Sequence, residues 1–339
     1  MLDRFPLKAV LISALLMAPV FASAQNQNPQ DDIRTVHMVV WRGCEEACQA
    51  FSRYFQDRNL PVQVEVTDVA RDRDLLQQVQ SQLIAARPDL VVTWGTSVSR
   101  AILGTREEFG SGSALGDIPA LFMIVADPVG SDLVESYERS GRNYVTGVRN
   151  RVPEDVQLRL MFEYFRPSRL GVINHPGELN STLNTEKLRS LSEEFDFSLL
   201  EHLYTPNADG EVDVAQIPEA MAALKAQGAE AIYVGSSSYN LEHQVEFVTA
   251  AAEVNLPVFS AYTQMVEEGG ALMAIGTSYA NVGRLAARQA AGVLLENEDP
   301  DALPISALNR YSVILNMASA QQLGLYPPLA LIGVAEVVQ

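Results

Sequence analysis

Cysteine, histidine and basic residues are scarce in this 339-residue chain, and each shortage removes a class of function. Two cysteines cannot build a cysteine-rich framework, and four histidines (His37, His175, His202 and His243) show no metal-ligand spacing. Lysine and arginine number 24 against 42 acidic residues, a formal net charge of −18. Such a surface repels phosphate backbones and anionic lipid, which argues against nucleic acid or a membrane surface as partner. The chain has no P-loop and no G-x-S-x-G elbow, and Gly110-Ser111-Gly112 falls between a helix and a strand, where a dinucleotide fingerprint does not. Nothing pairs a nucleophile with a base, so catalysis is not expected, and no cofactor is implied.

Long apolar runs are also missing. The N-terminal run, Ala9 to Phe21, is 13 residues, short of the roughly 20 needed to cross a bilayer. It is preceded by Arg4 and Lys8 and followed by Ala22-Ser23-Ala24, which reads as a secretory signal peptide over 1–24 cleaved near Ala24. No cysteine adjoins that point, so lipid attachment there is not expected. Residues 25–33 are rich in Gln and Asn and read as a disordered leader. Export makes the one pair of cysteines, Cys44 and Cys48, more consistent with a structural disulfide than with two free thiols, and a metal or redox role lies far behind both.

From Val36 onward, short apolar strands alternate with amphipathic helices. Strands are predicted at Val36–Trp41, Val62–Val69 and Leu90–Trp94, with helices at Glu45–Asn59, Asp72–Ala86 and Ser97–Phe109. The alternation restarts after Val148: helices at Pro153–Phe165, Ser181–Phe195, Ile217–Gln227 and Leu241–Asn255 separate strands at Arg169–Ile173, Ser198–Tyr204, Ala231–Val234 and Pro257–Ser260. The fold class is therefore α/β, with two successive doubly wound, Rossmann-like lobes built on parallel sheets. Ala271–Ile275 and Val282–Leu295 look like one further β-α unit, and Tyr311–Leu315 with Ala318–Leu323 closes the chain.

Residues at strand ends are the candidates for a ligand site, because open α/β sheets bind beyond the carboxyl ends of their strands. Trp41 ends the first strand and offers a stacking face, with partial burial at a sheet end as the equal alternative. Gly95-Thr96-Ser97 turns the third strand into a helix whose free N–H groups suit a carboxylate, although Ser97 would serve equally as a cap. Asp127 stands where the apolar strand Leu121–Val125 stops at Asp127-Pro128, a place that also suits a turn aspartate. In the second half, Asn174 with His175, and Ser236 and Ser237 within Gly235-Ser236-Ser237-Ser238-Tyr239-Asn240, supply neutral donors and acceptors. Tyr262 and Tyr279 are candidate aromatic walls.

The segment Ile118–Val148 carries Ala126-Asp127-Pro128-Val129-Gly130 and then Asn143-Tyr144-Val145-Thr146-Gly147-Val148. In that order the two resemble segments of the solute-binding proteins of tryptophan/tyrosine-type ABC importers, and the likeness runs from about Thr35 to the C-terminus. The resemblance implies a type I periplasmic binding protein with a multi-strand hinge. It assigns 34–150 and 259–305 to the first lobe and 151–258 and 306–339 to the second, with crossings near 148–153, 256–262 and 304–311. It also implies a periplasmic monomer that captures a small polar or aromatic, amino-acid-like solute and delivers it to a membrane permease with a cytoplasmic ATPase. Many relatives carry an acidic or Asp-Asn pair where this chain has the serine run, so the carboxylate expected to hold a solute ammonium is missing from that loop. An exported ligand-sensing partner of a membrane receptor would use the same fold, and an exported enzyme is the less favoured reading.

Overall fold

A computed structural model describes Ile33–Gln339. The expected signal peptide and all of the expected leader but Ile33 lie outside the described residues. Among the described residues, twelve strands form two sheets. The first comprises β1 (Arg34–Val40), β2 (Val62–Asp68), β3 (Leu90–Trp94), β4 (Ala120–Val125) and β5 (Val145–Arg149), all parallel, in the order β2-β1-β3-β4-β5. β4 reads as an unbroken apolar run, and β3 as one interrupted by Thr93 alone, because helices cover both of their faces, and every residue in them is buried. β2 lies at an edge and keeps Gln63, Glu65 and Asp68 in solvent.

The second sheet comprises β6 (Arg169–Asn174), β7 (Ser198–Leu203), β8 (Ala231–Val234), β9 (Val258–Ser260), β10 (Met273–Gly276), β11 (Ser312–Asn316) and β12 (Glu336–Val338). Its order is β12-β11-β10-β9-β8-β6-β7, parallel except where β11 runs against β10. Each sheet thus has its first strand next to its second on one side and its third on the other. The helical crossovers diverge at that point, leaving a crevice at the strand ends. These crevices fall at the ends of β1 and β3 in one sheet and of β6 and β8 in the other.

One expectation about chain path is corrected. Ala271–Ile275 was expected to return to the first lobe, but β10 pairs with β9 at Phe259 and Ser260 and with β11 from Val313 to Leu315, inside the second sheet. The strand is apolar on both faces, so its pattern marks it as central without saying to which sheet. No crossing occurs near 256–262. The chain crosses instead at Thr277-Ser278, and the helix Tyr279–Leu295 packs on the first sheet, against the helix Glu46–Asp57. Gly283 makes that approach possible, since a Cβ there would lie 2.1 Å from the Ala47 carbonyl oxygen. The other connections between the sheets are at 150–153, after β5, and ahead of β11, where Ser306 still bridges to Val148.

Smaller departures follow local chemistry. The helix expected over Ser97–Phe109 is two, Thr96–Leu103 and Arg106–Phe109, because Thr105 starts the second with a capping box that Glu108 completes. The expected Leu241–Asn255 is likewise divided into Ser238–Glu242 and Gln244–Glu253. Cys44 and Cys48 form a disulfide with Cα atoms 5.2 Å apart, at the start of the helix Glu46–Asp57.

Candidate functional site

The strand ends of the two sheets enclose a cleft of about 910 Å³, within the roughly 300–1,000 Å³ of small-molecule sites. On the first-lobe side, Trp41 and Arg42 follow β1, and Gly95-Thr96-Ser97-Val98 follow Trp94, the last residue of β3. Gly95 has φ +85° and ψ 162°, a conformation that only glycine adopts readily. The turn it makes is fixed from beneath: the Ser99 hydroxyl donates to the Gly95 carbonyl at 2.7 Å and lies 2.8 Å from the Thr93 hydroxyl. The helix Thr96–Leu103 therefore begins at the cleft with its first N–H groups lacking intrahelical acceptors. Trp94 is 5% exposed, and its indole Nε1, buried, has no hydrogen-bond partner among the described residues.

Ile124 also lines the cleft and takes φ +56° at a register shift in β4. A β-branched residue pays for that conformation, and backbone strain of this kind gathers where a site demands it. Asn150, in the crossing after β5, accepts from the Thr277 hydroxyl at 2.7 Å through its carbonyl, which ties two crossings together beneath Tyr279.

On the second-lobe side, the wall is built around Glu178, just after β6. Its carboxylate accepts from the Ser237 hydroxyl at 2.7 Å and from the backbone N–H groups of Ser238 at 3.1 Å and Tyr239 at 2.9 Å. Crowding by protein atoms raises its pKa; the Ser237 and Tyr239 hydrogen bonds and the nearby Arg42 charge act in the opposite sense without reversing it. Tyr239, Tyr262, Asn180, Ser236, His175 and His243 complete this wall. Burial, with the Arg73 charge adding to it, lowers the His175 pKa and favours its neutral form.

The two walls are bonded directly to each other. Arg42 donates from Nε to Glu45 at 2.6 Å and from Nη1 to the Ser238 carbonyl at 3.0 Å, while its guanidinium carbon lies 5.7 Å from the Trp94 ring centre. Arg73 donates to the Gly177 carbonyl at 2.8 Å, and Arg71 grips Glu242 through both carboxylate oxygens. Five aromatic side chains, from Trp41, Trp94, Tyr239, Tyr262 and Tyr279, face the space between.

Of the residues singled out from the sequence, the cleft brings together Trp41, Gly95, Thr96, Ser97, His175, Ser236, Tyr262 and Tyr279. Three others stand behind it. Asp127 accepts from the Gly130 N–H at 2.8 Å and the Tyr137 hydroxyl at 3.3 Å, so it closes its own turn and does not line the wall. The Asn174 side-chain oxygen accepts from the Ser181 and Thr185 hydroxyls, both at 2.9 Å, fastening β6 to the helix Leu179–Phe195. Ser237 caps the helix Ser238–Glu242 and supports Glu178. Sequence reasoning missed Arg42, Arg71, Arg73, Glu178 and Glu242. Arg42 and Glu178 each follow a strand end closely, and that position was the available signal. Among the described residues, no three His, Cys, Asp or Glu side chains are grouped to hold a metal, and no helix is long and apolar enough to cross a membrane.

The profile of the family described as ABC transporter substrate binding protein matches residues 52–338. The chain belongs to that family. Its fold is shared by solved structures of low identity. A conserved domain protein from Vibrio cholerae superposes with a TM-score of 0.77 at 23% identity, over 90% of this chain and 99% of that one. An ABC domain from Streptococcus pneumoniae in complex with L-Trp gives 0.73 at 19% identity, over 89% and 100%. A substrate-binding protein with adhesive properties from Clostridium difficile, in a ligand-free, open form, gives 0.67 at 19%, over 91% and 99%. Comparison with curated proteins gives no significant sequence match. The type I two-lobed architecture, with parallel sheets facing each other across a cleft, is thus common to this member and its structural relatives.

Proposed function

We propose that this protein is the exported, periplasmic solute-binding component of an ABC importer, acting as a monomer on an aromatic or otherwise amino-acid-like solute. The observation that carries the reading is the cleft itself. Two switch points meet, five aromatic side chains line the space, and a helix N-terminus on one side faces a carboxylate on the other. A solute carboxylate suits the N–H groups of Thr96, Ser97 and Val98. A flat side chain suits Trp41, Trp94 and the tyrosines, and the L-Trp held by the Streptococcus pneumoniae relative is of this chemistry. Closure works by population shift: the solute binds one wall, the second wall adds its contacts, and the closed form becomes the stable one for docking onto a permease.

The test is a thermal-shift and calorimetric screen of refolded, ligand-stripped protein against amino acids, aromatic acids, nucleobases and small peptides. A ligand at 100 times its dissociation constant stabilises by about 2.7 kcal/mol, enough to move the transition by a few degrees. One saturable ligand recovered chemically unchanged supports the reading; turnover of the bound compound, or a flat screen, refutes it.

A further inference from the structure

The charges on the cleft wall are unequal. Three arginines (Arg42, Arg71 and Arg73) face six carboxylates (Asp72, Asp74, Glu178, Asp209, Glu211 and Glu242). Position matters more than number. Asp72, Asp74, Asp209 and Glu211 are exposed, and Glu242 is committed to Arg71. The Arg42 charge acts on Glu178, but Arg42 is bound to Glu45 and to the Ser238 carbonyl. Glu178 is therefore an enclosed carboxylate with hydrogen-bond donors but, among the described residues, no ion-pair partner of its own. The other polar groups around it are His175, whose pKa burial lowers, and the hydroxyls of Tyr204 and Tyr262.

Glu178 also changes what the second wall can receive. The N–H groups of Ser238 and Tyr239 point into its carboxylate, and that of Asn240 into the Ser237 hydroxyl. The backbone donors that a solute carboxylate would seek on this side are already engaged by the protein's own anion. One carboxylate oxygen accepts only the Tyr239 N–H and keeps capacity for a further donor. On the opposite wall, the Trp94 indole N–H is buried and unpartnered, and it asks for an acceptor. The two walls are thus unlike in polarity, with donors on the first lobe and an acceptor carboxylate on the second.

We propose that Glu178 is the specificity-determining residue of the cleft: it makes the second lobe a receptor for a cationic group, an ammonium above all, and excludes solutes whose only charge is negative. The carboxylate that the serine run lacks is supplied from the neighbouring strand end. A zwitterionic solute then binds in one orientation, carboxylate to the first lobe and ammonium to the second. This inference rests on the solute-binding reading given above.

The experiment uses triples of compounds: tryptophan, tyrosine, leucine and phenylalanine, each with its decarboxylated amine and its deaminated acid, titrated calorimetrically into the ligand-stripped protein and its variants. In any triple that binds, the parent amino acid should bind about tenfold or more tighter than its deaminated acid, the worth of one charge-assisted hydrogen bond. Glu178→Gln should erase most of that preference, and Glu178→Asp, which keeps the charge, should retain its sign. A purely structural role would weaken all three members of a triple alike and leave the preference intact. A deaminated acid or an uncharged nucleobase as the tightest ligand, or an unchanged preference in Glu178→Gln, overturns the inference while the solute-binding reading stands. Failure of every compound, including those of the wider screen, overturns both.

Discussion

Replacing Arg71 with alanine removes an ion pair that joins the two walls of the cleft. Arg71 belongs to the first lobe and Glu242 to the second, and the side chains are 53% and 32% exposed. Partly exposed pairs are worth about 0.2–1 kcal/mol, and the two-pronged geometry places this one in the upper part of that range. The arginine is also held in place in advance. Ala70 and Arg71 adopt φ +48° and +67°, fixed by an Ala70 N–H bond to the Asp68 carboxylate at 2.8 Å and an Arg71 N–H bond to the Trp41 carbonyl at 2.7 Å. The strain of that loop is the same open or closed, so it does not enter the difference, whereas its rigidity lowers the entropic cost of pairing. Arg71→Ala should therefore reduce the closed-to-open ratio about two- to fivefold. The apparent dissociation constant should rise by no more than that factor, although Arg71 lies at the rim and need not touch the solute. Both cysteines are paired, so thiols introduced at the exposed Gln77 and Asp213 give clean nitroxide labels on the two lobes, and electron–electron distances report the populations. Salt at about 0.5 M should shrink the effect, because screening then acts within a few ångströms. The charge-exchanged double variant, Arg71→Glu with Glu242→Arg, should recover closure. An unchanged distance distribution in Arg71→Ala, or a double variant as open as either single one, would refute the reasoning.

Two further outcomes are expected. Gly283→Ala gains up to about 1 kcal/mol of helix propensity but drives a Cβ to 2.1 Å from the Ala47 carbonyl, so the clash should win and urea unfolding should show a net loss of about 1–3 kcal/mol; stability within 0.5 kcal/mol of the parent would refute it. Burial raises the Glu178 pKa in the folded state above its unfolded value near 4.5, so its stabilising contribution is complete below about pH 4.5 and is lost as pH rises through the folded value. The stability of the parent relative to Glu178→Gln should accordingly fall as pH increases across that window, and a difference that is flat or rises with pH would contradict the assignment.

How much of the site was legible depended on whether the informative residues were neighbours in the chain. Trp41 and Gly95-Thr96-Ser97 were readable because each directly follows its strand, so pattern and chemistry lie side by side. Glu178 was less so: its place soon after β6 was a signal, but its meaning depends on N–H groups 60 and 61 positions away. Arg42 meets the Ser238 carbonyl across 196 residues. Asp127 and Asn174 show the opposite error. Both have the right chemistry at a strand end, and in both the side chain turns back to satisfy local donors.

The sequence by itself determined the alternation of strand and helix, the parallel sheets, the acidic surface and the first-lobe turn, because these follow from periodicity, composition and residues close in the chain. Tertiary structure decided three things: which sheet received Met273–Gly276, which polar side chains face the cleft, and which arginines bridge it. The physical reason is that a strand apolar on both faces fits the interior of either sheet, and a long polar side chain takes its direction from partners that only the folded chain brings within reach.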